Sequence, residues 1–143
     1  MRREAMLAAA LGLVGCAGST GEVNGVGAGV EDVAASLEVK LQEDSVRVLL
    51  HVTNTGERGI AFTFRTSQRY EFVVRDDVGA EVWRWSEGMM FLQAISRATL
   101  APGETWAFEG AWAPGNRAGR YQVVGRVTAE EGDVEQSAAF ELP

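Results

Sequence analysis

The sequence predicts an all-β fold, an antiparallel β-sandwich of about eight short strands. Apolar and polar residues alternate in successive runs from residue 36 to the end, and turn residues separate these runs at near-regular spacing. No segment after residue 15 has a convincing helical period. A chain of 143 residues that is 46% hydrophobic and 23% charged is typical of one folded domain, which we expect over residues 32–143.

The first two runs predict an antiparallel hairpin. Residues 37–42 and residues 46–53 each alternate apolar with polar side chains, which is the period of a strand that buries one face. Residues 43–45 and Asn54-Thr55-Gly56 supply the polar and glycine residues that are typical of turns.

Aromatic residues mark the next three strands. Residues 60–64 and residues 70–74 each carry aromatic side chains on one face of an alternating run. In residues 81–85, Trp83 and Trp85 share a face. We expect this face to point into the core, because alternating aromatics on adjacent strands usually face inward.

The second half of the chain continues the pattern after one irregular segment. Residues 89–98 lack a clear period, so we predict a loop with at most one turn there. A Pro-Gly turn at 100–104 precedes a strand at 106–112, and a further strand follows at 120–127. Residues 134–142 alternate weakly and are predicted to form an edge strand.

These elements together favour an immunoglobulin-like arrangement of the sandwich. The Pro102-Gly103 turn stands directly before the strand at Trp106. Tyr121 follows Gly119-Arg120 in the position of a tyrosine corner, in which the phenol oxygen bonds to backbone a few residues upstream. We expect one domain, because the sequence has no internal repeat.

Residues 1–15 have the pattern of a lipoprotein signal peptide. A basic start at Arg2 and Arg3 is followed by an apolar stretch that is too short to span a bilayer. Leu13-Val14-Gly15-Cys16 resembles the bacterial lipobox, and this resemblance implies that Cys16 carries diacylglycerol and begins the mature chain. We therefore predict that Cys16 is a lipid anchor. The alternative is an ordinary cysteine buried in an N-terminal helix.

Residues 16–31 are predicted to form the lipidated N-terminus and a flexible tether. This stretch is rich in glycine and other small residues, which bury too little surface to fold. Ala17 after the cysteine is similar to the outer-membrane sorting pattern of Gram-negative lipoproteins. We expect an exported, membrane-anchored lipoprotein of the cell envelope, in the outer membrane if the source is Gram-negative.

The charge and the motifs argue against several classes of function. A net charge of −7 with scattered basic residues does not suit nucleic acid or anionic lipid as an electrostatic partner. The sequence has no nucleophile elbow or phosphate-binding glycine loop, and the lone His51 makes a metal site or a serine triad implausible. Asp76-Asp77 and Glu130-Glu131 lie in predicted turns, where acidic residues cap the backbone. We predict a non-enzyme that uses no cofactor or metal.

Four blocks occur in an order and spacing that resemble the BsuPI family of proteinase inhibitors. They are Asn54-Thr55-Gly56, the segment 68–76, Val82-Trp83-Arg84-Trp85-Ser86 and Leu100-Ala101-Pro102-Gly103-Glu104. The resemblance covers roughly residues 41–127. It implies an immunoglobulin-like sandwich and, for the founding member, inhibition of an intracellular subtilisin-type serine protease. A cytoplasmic subtilisin does not suit a chain that is predicted to be exported, so the resemblance implies fold more strongly than activity.

An inhibitor needs a preformed, exposed loop on a rigid scaffold, because such a loop loses little entropy on docking. Two predicted loops qualify. The preferred one would offer an apolar side chain to a subtilisin-like pocket and consists of Ser86, Glu87, Gly88, Met89, Met90 and Phe91. The second would suit a trypsin-like enzyme and consists of Arg65, Thr66, Ser67, Gln68 and Arg69. The alternative for Met89 and Met90 is that they cover the end of the core.

Two other functions fit a sandwich domain. One is a partner-binding or structural module that docks another envelope protein without inhibiting it. The other is a carbohydrate-binding module that uses Trp83, Trp85 and Trp112 as a platform, which requires exposed and coplanar rings. We expect a monomer in each case. The exposure of the methionines and tryptophans separates these hypotheses.

Overall fold

A computed structural model describes residues 31–143, which form nine strands and contain no helix. The strands are β1 (Val33–Leu41), β2 (Val46–Asn54), β3 (Ile60–Phe64), β4 (Tyr70–Asp76), β5 (Glu81–Arg84), β6 (Ser96–Leu100), β7 (Thr105–Trp112), β8 (Gly119–Val127) and β9 (Val134–Leu142). Over this part of the chain, no helix is long and apolar enough to cross a bilayer. The predicted signal peptide, the Cys16 anchor and the tether up to residue 30 lie outside the described residues.

All strand pairs are antiparallel, so the predicted all-β antiparallel class is confirmed. One sheet has the order β1-β2-β7, a second has the order β5-β4-β8-β9, and β3 pairs with β6 in a two-stranded ribbon. The alternating patterns of β1, β2, β8 and β9 each bury one face, as their sequences predict. The immunoglobulin-like arrangement stays a prediction.

The two larger sheets pack face to face around Phe72 of β4. A Cβ atom built on Gly125 of β8 would lie 2.8 Å from Phe72 Cε1 and 3.2 Å from Leu37 Cδ1 of β1. A Cβ atom on Gly110 of β7 would lie 3.0 Å from Phe72 Cδ2. These glycines leave room for a phenylalanine ring that is fully buried between the sheets.

Strand β6 is the one strand beyond the eight that were predicted, and it corrects the prediction of a loop over residues 89–98. Residues 96–100 pair with β3, with Ser96 opposite Phe64 and Leu100 opposite Ile60. The alternation in β6 is weak because two of its three inward side chains, Ser96 and Ala98, are small. Only residues 89–95 remain without regular structure, and the turn lies earlier, at 85–88.

Asn54 at the end of β2 holds one side of the β3–β6 ribbon. The Asn54 side-chain amide is fully buried and donates hydrogen bonds to the carbonyls of Arg58 (2.7 Å) and Leu100 (2.9 Å). Its side-chain oxygen accepts a hydrogen bond from the Gly56 amide at 2.9 Å. The Asn54 carbonyl also accepts a hydrogen bond from Gly103 at 2.8 Å. Two of the four family-like blocks therefore meet here.

The turn between β8 and β9 holds the other side of the ribbon. The Glu131 carboxylate accepts hydrogen bonds from the Thr63 amide (2.7 Å) and hydroxyl (2.6 Å), and the Glu130 amide donates to the Thr63 carbonyl at 2.9 Å. Burial raises the pKa of Glu131, but the hydrogen bonds from Thr63 and the charge of Arg97 lower this pKa by more, so that it lies below its ordinary value. The turn that contains Glu130 and Glu131 therefore binds the backbone of β3, in agreement with the predicted backbone-capping role of its acidic residues.

Tyr121 at the start of β8 has the geometry of a tyrosine corner. Its hydroxyl donates a hydrogen bond to the Ala118 carbonyl at 3.0 Å, three residues upstream. Its buried ring stacks on Phe140 of β9 and meets Trp112 of β7 edge-on. The ring therefore fixes the entry of β8 against both sheets.

Candidate functional site

The most exposed apolar residues near the predicted contact loop lie between residues 89 and 95, a segment that we name the apolar loop. Relative exposure is 96% for Met90, 46% for Met89, 73% for Leu92 and 71% for Ile95. Phe91 instead turns inward, and its ring centroid lies 6.0 Å from that of Trp85. The methionines are thus presented to solvent and do not cover the end of the core. Several exposed apolar residues within one short segment are typical of an interaction site.

A tight turn at residues 85–88 supports the apolar loop. The Glu87 amide donates to the Arg84 carbonyl and the Met89 amide donates to the Ser86 carbonyl, each at 3.0 Å. Gly88 has a φ of 82°, which L-residues with a side chain rarely adopt. Glycine is therefore required at the position directly before Met89.

Glu71 on β4 holds the first residue of the predicted contact loop. Its carboxylate is buried, and it accepts hydrogen bonds from the Ser86 amide (3.1 Å), the Ser86 hydroxyl (2.5 Å) and the Phe72 amide (3.1 Å). A buried carboxylate is stable only when its oxygens are paired in this way. This contact was not predicted from the sequence, because Glu71 and Ser86 are fifteen residues apart.

Two further side chains complete the surroundings of Glu71. Arg84 donates to Glu71 at 3.3 Å and to the exposed Glu81 at 2.8 Å, and Gln68 donates to Glu71 at 3.3 Å. The hydrogen bond from Arg84 lowers the pKa of the Glu81 carboxyl below its ordinary value. Since Gln68 belongs to the second candidate loop, one carboxylate contacts both loops.

The second candidate loop, residues 65–69, lies beside the apolar loop. The Ser67 amide donates to the Leu92 carbonyl, and the Leu92 amide donates to the Ser67 hydroxyl oxygen, each at 2.9 Å. Thr128 fixes the other side of residues 65–69 through hydrogen bonds to the carbonyls of Gln68 (2.8 Å) and Arg69 (3.0 Å). The structure thus brings together two loops that the sequence presents as separate alternatives. We name the combined surface, residues 65–69 and 86–95, the contact surface.

The two arginines of the second loop have different surroundings. The Arg69 guanidinium lies 4.6 Å from the centroid of the buried Phe64 ring and donates a long hydrogen bond of 3.4 Å to Ser96. The Arg65 side chain is largely exposed and lies 3.3 Å from Glu130. Arg69 is therefore occupied in holding the loop on the β3–β6 ribbon, and Arg65 is the more accessible cation.

An aromatic stack lies behind the contact surface. Tyr70 stacks between Trp85, with ring centroids 4.2 Å apart, and Phe108, with ring centroids 4.7 Å apart. The Tyr70 hydroxyl donates to the Glu109 carbonyl at 3.0 Å, and burial raises the pKa of this phenol. Trp83 and Trp85 face inward and are half-buried, as predicted for a core strand. The stack gives the loops a rigid base.

The structure does not provide the platform that carbohydrate binding requires. Trp112 is buried, and Trp83 stacks over it with ring centroids 6.5 Å apart. Trp85 is covered on one face by Tyr70. These rings pack on one another or on the core, so they do not form an exposed, coplanar row.

Asp76, at the end of β4, has a structural role. Asp76 accepts hydrogen bonds from the amides of Val78 (3.1 Å) and Ala80 (2.8 Å), and it thereby caps its own turn as predicted. Within residues 31–143, no group of three or more histidine, cysteine or acidic side chains could hold a metal ion. Two surface depressions, at residues 55–60 and beside the β1–β2 turn, lie away from the contact surface.

Comparisons with known proteins found a family model and structures that are similar to this chain. Residues 33–132 match the family model BsuPI, described as "Intracellular proteinase inhibitor". The C-terminal domain of wzt is similar in structure, with a TM-score of 0.50 and 10% sequence identity over 87% of this chain and 78% of that chain. The yjhA protein from Bacillus subtilis gives a TM-score of 0.40 and 16% identity over 72% of this chain and 76% of that chain. No curated protein matches the chain.

The match of the family model extends from the first residue of β1 to the turn before β9. The likeness to the wzt domain concerns the fold alone, because the sequence identity is low. Within the matched region, the four family-like blocks contact one another in pairs, at Asn54 with Gly103 and at Glu71 with Ser86. The chain therefore belongs to the BsuPI family, whose model describes intracellular proteinase inhibitors.

Proposed function

We propose that this protein inhibits a serine protease of the subtilisin-like class and acts without catalysis of its own. One observation carries the proposal: Met90 is 96% exposed on a segment that is hydrogen-bonded to strand β4 at Ser86 and to the second candidate loop at Leu92. The unbranched methionine side chain suits a deep apolar specificity pocket. The family description supports inhibition in general, and the choice of protease class is ours.

The conformation of the contact surface supports tight binding. Ser86, three residues before the apolar loop, is held by Glu71, and Leu92 within the loop is held by Ser67. A loop that is already ordered loses little conformational entropy when a protease binds it, so more of its contact energy becomes affinity.

A second candidate function is docking to another envelope protein without inhibition. The exposure of Leu92 and Ile95 favours it, because these residues extend the apolar patch beyond what one specificity pocket covers. Under this alternative, the same contact surface would bind an apolar groove of a structural partner.

We also propose a location in the cell. A lipid anchor at Cys16 and a glycine-rich tether would hold a monomeric domain at a membrane of the envelope, and its target would be a protease outside the cytoplasm. This placement differs from the word "intracellular" in the family description. Substitution Cys16→Ala should release the protein from membranes, and unchanged fractionation would contradict the anchor.

Titration of the purified protein against subtilisin-like, chymotrypsin-like and trypsin-like proteases tests the proposed inhibition. We expect stoichiometric inhibition of the subtilisin-like enzyme and weaker inhibition of the trypsin-like enzyme. A lack of inhibition throughout the panel at micromolar protein would contradict the proposed function and favour the docking module. Selective inhibition of the trypsin-like enzyme would assign the activity to Arg65 and its loop.

A further inference from the structure

We propose that Glu71 is a positioning residue that fixes the shape of the contact surface before any partner binds. It lies within β4, outside both candidate loops, and its side chain is 3% exposed. Its effect on inhibition rests on the proposed function. Its effect on loop conformation stands by itself and can be measured without a protease.

The Glu71 carboxylate is surrounded by donors alone. Oε1 accepts from the amides of Phe72 and Ser86, while Oε2 accepts from the Ser86 hydroxyl and the side chains of Arg84 and Gln68. An ionised carboxylate is an acceptor only, so it satisfies all of these groups at once. Glutamine has almost the same size, but its amide NH₂ would face a donor at either position. Position 71 therefore requires a charged carboxylate and not only a side chain of this size.

Two short paths of hydrogen bonds and adjoining backbone connect Glu71 to the apolar loop. The first runs through Ser86, whose carbonyl accepts the Met89 amide at 3.0 Å. The second runs through Gln68 in the adjacent loop, in which Ser67 binds Leu92. Both ends of the segment that carries Met90 thus depend on residues next to one buried carboxylate.

These contacts predict what happens when the carboxylate is removed. With glutamine at position 71, one or more donors around Ser86 lose their partner, and the turn at 85–88 should open more often. Among the described hydrogen bonds, this carboxylate contacts the core only through the backbone amide of Phe72, so the sandwich should remain folded. We expect a mobile contact surface on an intact domain.

The test compares Glu71→Gln with Glu81→Gln in the full-length protein. Glu81 is a matched control, because it also binds Arg84 but lies on the exposed side and does not contact Ser86. Hydrogen exchange read by mass spectrometry should become about tenfold faster or more over residues 86–92 in Glu71→Gln, and it should be unchanged there in Glu81→Gln. Ser86→Ala, which deletes only the hydroxyl donor, should give a smaller increase in the same segment.

The outcomes separate this inference from the proposed function. Exchange over residues 86–92 that is unchanged in both Glu71→Gln and Ser86→Ala would overturn the role of Glu71, whatever the protease assays give. If Glu71→Gln unfolds the whole chain, exchange over residues 86–92 in Ser86→Ala alone decides whether the role of Glu71 stands. If the wild-type protein inhibits a protease, Glu71→Gln should weaken inhibition about tenfold or more, mainly through faster dissociation. Unchanged inhibition with a mobile loop would overturn the link to binding.

Discussion

Ser67 and Leu92 exchange two hydrogen bonds of 2.9 Å: the Ser67 amide donates to the Leu92 carbonyl, and the Leu92 amide donates to the Ser67 hydroxyl oxygen. This pair joins residues 65–69 to the apolar loop across twenty-five positions of sequence. The choice between an apolar and a basic contact loop is therefore not a choice between distant sites. A partner that binds Met90 also comes close to the loop that contains Arg65.

The Ser67 hydroxyl can be tested alone. Ser67→Ala leaves the Leu92 amide without its acceptor, so we expect faster exchange of that amide and a loss of roughly 1 kcal/mol or less in the free energy of unfolding, because water can replace the hydroxyl at this exposed site. Exchange measured by NMR checks the amide. Ser45→Ala is the control, since Ser45 makes a comparable exposed hydrogen bond to Gln42 in the β1–β2 turn. Equal exchange at Leu92 in both variants would contradict the pairing.

Asn54 should be important for the stability of the fold and not for binding a partner. Asn54→Ala removes hydrogen bonds to Arg58, Leu100 and Gly56 in a fully buried position, so we expect a loss of roughly 2–4 kcal/mol in the free energy of unfolding. Urea denaturation measures this loss in the free energy of unfolding. Asn116→Ala, in the exposed turn before β8, should cost roughly 0.5 kcal/mol or less. A small effect at Asn54 would mean that the β3–β6 ribbon is held by other contacts.

The lowered pKa of Glu131 predicts a dependence of stability on pH. Because the folded state lowers this pKa, the ionised carboxylate stabilises the fold above about pH 4.5, the ordinary glutamate value, and this contribution is lost as the pH falls through the lower folded pKa. Glu131→Gln should therefore be less stable than wild type at pH 7, with a difference that shrinks below pH 4.5. Thermal unfolding across this range checks the trend. Glu43→Gln, in the exposed β1–β2 turn, serves as the control. A stability difference between wild type and Glu131→Gln that stays constant with pH would contradict this prediction.

Much of the fold follows from local pattern, and the failures have physical reasons. Period-two alternation reports which face of a strand is buried, so the inward position of Trp83 and Trp85 was predictable. Strand β6 was missed because its inward residues are mostly small, and such a run resembles a loop. The alternation that locates a strand cannot identify Glu71 either. This residue lies on the outward set of β4 and is buried by groups from other segments.

The site was predictable in part. The candidate residues 86–91 and 65–69 were named from sequence, but their contact depends on pairing between residues far apart in the chain. The exposure of Leu92 and Ile95 was also missed, because an apolar residue in an irregular segment fits a core position and a surface position equally well. Only the folded structure separates these cases.

The most direct test of the inhibitor hypothesis compares Met90→Asp with Val78→Asp in a titration against a subtilisin-like protease. Both residues are exposed and apolar, at 96% and 82%, but Val78 lies in the β4–β5 turn, outside the contact surface. An aspartate at position 90 would bring a charge into an apolar pocket, so we expect Met90→Asp to weaken inhibition about a hundredfold or more, with little change for Val78→Asp. Equal inhibition by wild type and Met90→Asp would contradict the proposed role of the apolar loop.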